Sequence, residues 1–321
     1  MNISNHYSEV ILVRYFHDDE VREHLQFPDA ITLVRQAFAD LDNAEAVNQV
    51  RLRSQSDSVI LNVMWALAPK LDLMGIKSYP VISKTTTRGT ELNLLLYSMS
   101  TGEIIGLMKA DILGQIRTGA ATAVATKLLA RADSEILTIF GTGFQAEGQL
   151  RAVLSEMPNI RSIRVVARNQ EKLKAFASEM QTALDREVLA SEAEAAVRES
   201  DIVITATSSV EPVLFGDWLR EGTHVNAVGS NVSTKREVDL RTLERAGVIV
   251  ADDATVALTE AGDFIANEWP QDSVISIGSI LNQKVPGRTE NGQITLFSSQ
   301  GLALQDIYCA DHILRTMGVI N

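Results

Sequence analysis

The chain has 321 residues and a formal net charge of −12, and 45% of its residues are hydrophobic. This length and composition predict a globular protein of about two domains, and the acidic charge argues against nucleic acids and anionic membranes as partners. No apolar run approaches the roughly 18 residues of a membrane span, and Cys309 is the only cysteine, so an intramolecular disulfide cannot form.

The first part of the chain is predicted to be rich in strands and to contain one long helix. Phe27-Pro28-Asp29 is typical of a helix start, and apolar residues follow at helical spacing as far as Leu41. Alternating or apolar runs predict strands at 50–53, 59–64, 74–80, 91–97 and 104–108. An alanine-rich stretch at 120–131 then favours a helix.

Residues 135–169 read as a strand, a tight turn, a helix and a second strand, which is the order of a βαβ unit. Gly141 permits the sharp turn, Gly143 lets the backbone approach a pyrophosphate, and Ala146 allows close packing of helix on strand. The helix N-terminus then offers free N–H groups to the phosphates. The pattern predicts dinucleotide binding, with a plain glycine turn as the alternative.

The second strand of this unit ends at Arg168-Asn169, where NAD-binding proteins usually carry an acid that binds the ribose 2′-OH. Arg168 could pair with the 2′-phosphate of NADP, stack on adenine, or be a solvated arginine. The cofactor we expect is NAD(P)H, and Arg168 favours NADP.

Three further apolar runs, at 201–207, 223–229 and 247–251, have the composition of strands that are buried on both faces. Since strands alternate with helices, we predict an α/β fold with a Rossmann-type, doubly wound parallel sheet. The strand-rich N-terminal region would form a separate α+β domain, and residues 301–314 an amphipathic helix. The five histidines show no zinc-binding spacing, so we expect no metal site. Residues 1–9 lack the layout of a secretory signal, so we expect a cytoplasmic protein.

Basic residues stand in predicted strands and at a predicted helix start. Lys77 has apolar neighbours, Arg51 and Arg53 share one face of a strand, and Arg117 precedes Thr118. Such cations could hold a substrate carboxylate, although each one alone could equally be a solvated surface residue.

Several motifs give the chain a resemblance to a known family: 51–53, 74–77, 110–121, 141–146, 224–231, 235–239 and 301–306. Over nearly its whole length the chain resembles the ornithine cyclodeaminase/mu-crystallin family. The resemblance implies a substrate-binding and dimerisation domain at 1–118, completed by a C-terminal helix at 300–321, and a Rossmann domain at 119–299. It also implies a homodimer and a small amino- or imino-acid substrate.

The resemblance implies roles for individual residues. Arg51, Lys77 and Arg117 would hold the substrate carboxylate, and Lys77 could also donate a proton. The implied cofactor-binding residues are Thr118, Gly141, Gly143, Phe144, Gln145, Arg168, Asn169, Thr205, Ala206, Thr207, Val228, Gly229, Lys235 and Ser299.

One position departs from the family pattern. In the ornithine cyclodeaminases of the family that this chain resembles, an aspartate acts as catalytic base at the position where this sequence has Asn231. An amide cannot accept a proton as a carboxylate does, although Asn231 could still donate a hydrogen bond to an imine or carboxylate and is kept among the candidate catalytic residues. We therefore predict an NAD(P)H-dependent reductase of a cyclic imino acid. The alternatives are an ornithine cyclodeaminase, an amino-acid dehydrogenase such as alanine dehydrogenase, and a non-catalytic cofactor-binding protein.

Overall fold

The structure is a computed structural model that describes residues 13–82 and 91–320. Residues 1–12, on which the expected absence of a secretory signal depends, lie outside the described residues. The described chain forms two sheets, one of seven strands and one of eight.

The first sheet comes from the N-terminal third of the chain and is antiparallel except at one edge, where β1 runs parallel to β7. Its strand order is β1-β7-β6-β5-β4-β2, and β3 also pairs with β4. The strands are β1 Tyr15–Phe16, β2 Val47–Asn48, β3 Leu52–Gln55, β4 Val59–Ala68, β5 Leu73–Ile82, β6 Asn93–Ser98 and β7 Ile104–Lys109.

The two faces of this sheet differ, because successive side chains of a strand point in opposite directions. On β5, Lys77 faces inward and is buried, whereas Ile76 faces outward and is 40% exposed. Four helices cover or flank the inner face, and the last of them comes from the far end of the chain. They are α1 Asp18–His24, α2 Phe27–Asp42, α3 Asp111–Leu129 and α11 Ala303–Thr316.

The second sheet is entirely parallel, with the strand order β10-β9-β8-β11-β12-β15-β13-β14. Its central strands are buried along their whole length, as the continuous apolar runs predict. The strands are β8 Ile136–Phe140, β9 Ser162–Val166, β10 Glu187–Ala190, β11 Ile202–Thr205, β12 His224–Ala227, β13 Ala246–Ala251, β14 Val274–Ser276 and β15 Ile294–Ser298.

Helices connect the strands of the parallel sheet and pack apolar residues against them. They are α4 Phe144–Glu156, α5 Gln170–Leu184, α6 Ala193–Glu199, α7 Leu240–Arg245, α8 Ala254–Glu260, α9 Gly262–Ile265 and α10 Ile277–Leu281. The chain runs outward from β8 to β9 and β10, then returns to β11 on the other side of β8. Ligands of such sheets bind at this reversal, beyond the carboxyl ends of the strands. The predicted fold class, a doubly wound sheet with a strand-rich domain, is confirmed.

Helix α3 connects the two sheets, since it packs against α2 and α11 on one side and against α4, β12 and β15 on the other. It begins at Asp111 rather than near Ala120, so Arg117 lies within the helix and not at its start. Glycines permit the closest contact: a Cβ on Gly119 would lie 2.6 Å from the carbonyl oxygen of Gly148 on α4. The expected domain boundary at 118/119 falls inside this continuous helix.

Candidate active site

The glycine turn between β8 and α4 has the geometry that a bound pyrophosphate requires. Gly141 has φ +117°, and a Cβ there would lie 2.4 Å from the carbonyl oxygen of Ala206. Gly143 caps α4, and the space around its Cβ position is open. Any side chain at Gly141 would strain the turn, while the N–H groups at the start of α4 remain available to an anion. These residues therefore fit a dinucleotide.

A cleft of ≈ 680 Å³ opens at this turn, where the strand order reverses. Six of the residues predicted to bind the cofactor line it: Gly141, Gly143, Arg168, Asn169, Ala206 and Thr207. Arg168 is exposed, and Lys172 and Glu192 line the same cleft. Asn169 also caps α5, because its side chain accepts a hydrogen bond from the backbone N–H of Lys172 at 2.9 Å.

Glu237 holds the ends of β11 and β12 beside the cleft. Its carboxylate accepts hydrogen bonds from the Thr205 hydroxyl (2.9 Å), the Thr207 N–H and hydroxyl (2.7 Å each) and the Gly229 N–H (2.7 Å). Burial raises the pKa of this carboxyl, and the hydrogen bonds oppose that rise. Glu237 thus brings three of the predicted cofactor residues into one arrangement, although sequence reasoning assigned it no role.

The other predicted cofactor residues are not among those that line the cleft. Phe144 is half exposed at the start of α4, and Thr118 donates its hydroxyl hydrogen to the Gly114 carbonyl oxygen at 2.6 Å. The buried Oε1 of Gln145 has no hydrogen-bond partner among the described residues, and the N–H of Val228 donates to the carbonyl oxygen of Thr205. Lys235 is half-buried in the segment after β12, and Ser299 directly follows β15.

Lys77 is 1% exposed, and its Nζ donates a hydrogen bond to Oδ1 of Asp306 on α11 at 2.7 Å. Burial lowers the pKa of Lys77 to about 8, while the charge of Asp306 opposes the shift and those of Arg117 and Arg51 add to it. A lysine with such a pKa can give up a proton near neutral pH.

Arg117 approaches the same carboxylate from α3. Its Nε lies 3.4 Å from Oδ1 of Asp306, and its NH1 donates to Oε1 of Gln305 at 2.9 Å. Gly301, which has φ +77°, leaves room for the guanidinium, because a Cβ there would lie 2.7 Å from NH1 of Arg117. The C-terminal helix and the turn before it therefore complete this part of the site.

Arg51 lies just before β3 and is 6% exposed. Its guanidinium pairs with the buried carboxylate of Glu260 and donates to the Gln300 carbonyl oxygen at 2.9 Å. Arg53 contacts Glu260 as well, at 3.3 Å, and also binds the backbone carbonyl oxygen of Asn231. Arg51 and Arg53 therefore share one side, as predicted, and Asn231 joins the site through its backbone.

Asp252, directly after β13, holds the turn that carries Gln300. Its Oδ2 accepts hydrogen bonds from the Ser299 hydroxyl (3.0 Å) and from the N–H groups of Gln300 (2.8 Å) and Gly301 (2.6 Å). Burial raises the pKa of Asp252 to about 6, against the effect of these bonds and of Arg117. The carboxylate thereby fixes the backbone that contacts both Arg51 and Arg117.

The structure thus brings Arg51, Lys77 and Arg117 together, and each of them contacts a buried carboxylate or amide that sequence reasoning did not single out. We call this group of side chains the cation cluster: Arg51, Lys77, Arg117, Glu260, Gln305 and Asp306. The sequence signal for Glu260 is a single charged residue in an otherwise uncharged helix, whereas Asp306 shares α11 with Asp311, His312 and Arg315 and gives no such signal.

Within residues 13–82 and 91–320, no group of His, Cys, Asp and Glu side chains is placed to hold a metal ion. None of the helices in that part of the chain is long and apolar enough to cross a membrane.

The glycine turn and the cleft at the reversal of the parallel sheet define a dinucleotide-binding α/β protein, and helix α3 carries Arg117 of the cation cluster. The chain belongs to the ornithine cyclodeaminase/mu-crystallin family, which it matches over residues 14–317. The family prediction is therefore confirmed.

Two relatives and one solved structure illustrate the similarity. The chain is 33% identical to a Δ1-pyrroline-2-carboxylate reductase of Bacillus cereus, over 78% of this chain and 79% of that protein. It is also 33% identical to the ketimine reductase mu-crystallin of Mus musculus, over 78% of each. The structure of Thermococcus litoralis Δ1-pyrroline-2-carboxylate reductase in complex with NADH and L-proline superimposes with a TM-score of 0.90 at 31% identity, covering 96% of this chain and 98% of that one.

Proposed function

We propose that the protein is an NAD(P)H-dependent reductase that acts on the C=N bond of a cyclic imino acid. Substrates of the Δ1-pyrroline-2-carboxylate and Δ1-piperideine-2-carboxylate type would give proline and pipecolate. The observation that carries this proposal is the cation cluster, in which three buried basic residues come from separate elements and one of them, Arg117, lies on the helix α3 that packs against α4. The names of the relatives agree with it.

The arginines and the lysine of the cluster would have different roles. Arg51 and Arg117 would bind the substrate carboxylate, because guanidinium groups present paired N–H donors to it. When bound in the cleft, NADH or NADPH supplies a hydride. Lys77 holds a proton on Nζ at neutral pH and would transfer it to the imine nitrogen, so that the C=N bond becomes a C–N bond bearing two new hydrogens.

We extend the proposal to the cofactor preference and favour NADPH. Arg168 and Lys172 line the cleft at the end of β9, where a 2′-phosphate would lie. Glu192 lines the same cleft and would oppose the phosphate, so the balance of these charges decides the preference.

The reaction of an ornithine cyclodeaminase is the main alternative, and Asn231 argues against it. Residue 231 contacts Arg53 through its carbonyl oxygen, and an amide side chain offers no base for ammonia loss. An alanine dehydrogenase, or a protein that binds cofactor without catalysis, would use the same cleft and cluster.

The deciding experiment measures oxidation of NADPH and NADH with a panel of candidate substrates. The panel contains the two cyclic imines and pyruvate with ammonia, and a separate assay measures proline formed from ornithine in the presence of NAD⁺, because that reaction causes no net change in the cofactor. We expect turnover with a cyclic imine and no proline from ornithine. Proline formation from ornithine would replace our proposal with the lyase, and pyruvate-specific turnover would replace it with the dehydrogenase.

The proposal includes two domains, at 1–118 with 300–321 and at 119–299, and a homodimer formed through the outer face of the first sheet. That face carries an apolar groove of ≈ 450 Å³ lined by Trp65, Leu67, Met74, Ile76 and Tyr97. A second copy would cover it, since exposed apolar patches of this kind mark interfaces. Light scattering should give the mass of a dimer, and Ile76→Glu should give that of a monomer.

We also propose a cytoplasmic location, in keeping with a single, buried cysteine.

A further inference from the structure

Asp306 is the acid on which two of the three cations converge. It is completely buried in the first turn of α11, and its Oδ1 lies 2.7 Å from Nζ of Lys77 and 3.4 Å from Nε of Arg117. A buried carboxylate costs several kcal/mol unless it is paired. The position at a helix N-terminus and the two cations offset this cost.

The three partners come from different parts of the fold. Lys77 lies on β5, Arg117 on α3 and Asp306 on α11, and the first and last are 229 positions apart in the chain. Local structure alone therefore does not fix the position of Lys77 relative to Arg117. Oδ1 of Asp306, which lies close to both side chains, links the two.

Electrostatic effects on Lys77 come from every element around it. Desolvation and the two arginines favour the neutral amine, and the carboxylate of Asp306 is the largest influence that favours the ammonium form. Without this carboxylate, a lysine buried next to two guanidinium groups would lose its proton more readily. The charged and titratable groups that interact electrostatically with Lys77 are Asp306 and Cys309 on α11, Arg117 and Asp111 on α3, and Arg51 before β3.

We propose that Asp306 is a positioning residue of the active site, which fixes Nζ of Lys77 against Nε of Arg117 and keeps Lys77 in its ammonium form for proton transfer. This inference rests on the proposed reductase function. A purely structural ion pair would support folding but would leave the pH dependence of the reaction unchanged.

The test compares Asp306→Asn with Asp311→Asn, a buried carboxylate two residues past Cys309 that pairs with Arg315 on the same helix. In the wild-type protein kcat/KM for the cyclic imine should fall above pH 8, as Lys77 loses its proton. In Asp306→Asn this alkaline limb should move to lower pH by about 1–3 units, and in Asp311→Asn it should stay in place. An unmoved limb in Asp306→Asn overturns the proposal.

A second readout needs no turnover. The protein is labelled with ¹³Cε-lysine, the Lys77 resonance is identified by its loss in Lys77→Met, and its pH titration is followed by NMR. We expect the titration midpoint to fall in Asp306→Asn only. If the wild-type protein reduces no imine, the proposed function fails, and this titration still decides the role of Asp306.

Asp306→Glu covers the case in which the asparagine variant does not fold. The longer side chain keeps the negative charge but displaces it by one methylene. We therefore expect the alkaline limb to stay near its wild-type position while kcat falls, with KM for NADPH unchanged. Wild-type kcat in Asp306→Glu would show that the placement of the carboxylate does not matter and would overturn the proposal.

Discussion

The two candidate ligand sites of this protein differ in how far their charged side chains are exposed to water. In the cation cluster, side chains such as Arg51 and Lys77 are almost fully buried and meet buried acids such as Glu260. In the dinucleotide cleft, the glycine turn offers mainly backbone groups, and the basic side chains Arg168 and Lys172 are exposed. A desolvated charge interacts strongly, whereas an exposed one is screened by water and salt.

This contrast has a consequence for mutagenesis. Truncation of a buried cation removes a strong interaction and leaves its acid partner uncompensated. Truncation of an exposed cation at the cleft removes little, since water replaces it. We therefore expect changes in the cation cluster to be severe and changes at the rim of the cleft to be modest.

The largest effect is expected for Lys77→Ala, which removes the candidate proton donor. A positioned general acid typically contributes about 10²–10⁴-fold, so kcat with the imine should fall within that range, while the dissociation constant of NADPH stays unchanged. Steady-state kinetics and fluorescence titration measure the two quantities. Lys70→Ala, at an exposed lysine outside the site, serves as the control. If Lys77→Ala retained full kcat and KM, the lysine would be structural and the site would lie elsewhere.

Arg117→Ala should follow, with its main effect on KM. Loss of one partner of a buried charged pair costs about 2–5 kcal/mol, which corresponds to a KM higher by roughly 30-fold to several thousand-fold. Arg117→Lys keeps a charge without the paired N–H donors and should recover part of this loss. An unchanged KM for the imine in Arg117→Ala would remove the arginine from the substrate site.

Arg168→Asp tests the exposed side of the comparison. If Arg168 contacts the 2′-phosphate, affinity for NADPH should fall by about tenfold. This loss is near the low end of what a hydrogen bond between charged groups contributes, because the arginine is exposed to water. Affinity for NADH should change little. The matched control is Lys174→Asp, on α5 but outside the cleft lining. Equal losses for both dinucleotides, measured by titration, would contradict the NADP preference.

The last expected effect is on stability rather than on activity, and it concerns a buried titratable group in the parallel sheet, away from both sites. His224 bonds to Thr295 (2.9 Å) and Asn226 (3.2 Å), and burial lowers its pKa to about 3. Between about pH 6.5, the usual pKa of histidine, and pH 3 the unfolded chain binds a proton that the folded chain does not. The free energy of unfolding therefore falls as the pH drops through this window, by about 2 kcal/mol at pH 5.

Urea unfolding at pH 7 and pH 5 measures this loss. His224→Gln should reduce the difference between the two pH values, whereas His24→Gln, at a partly exposed histidine on α1, should leave it as in the wild-type protein. An equal difference in His224→Gln would assign the acid sensitivity to other groups.

The sequence determined the features that depend on neighbouring residues. The β8-turn-α4-β9 unit, the doubly wound class and the helix at Phe27–Asp42 were predicted correctly, because strand and helix periods and glycine turns are local properties. The sequence also named Arg51, Lys77 and Arg117 as candidates. Their assigned roles, and those of the cofactor residues, remain predictions.

Only the tertiary structure decided which groups meet. Strand β15, which lies between β12 and β13, was missed although Ile294–Ser298 is apolar and follows an Asn-Gly turn. The partners Asp306 for Lys77 and Glu260 for Arg51 lie more than two hundred positions away in the chain. No local period encodes such a pairing, since a buried ion pair arises from the packing of remote helices and strands that bring opposite charges into the same dry volume.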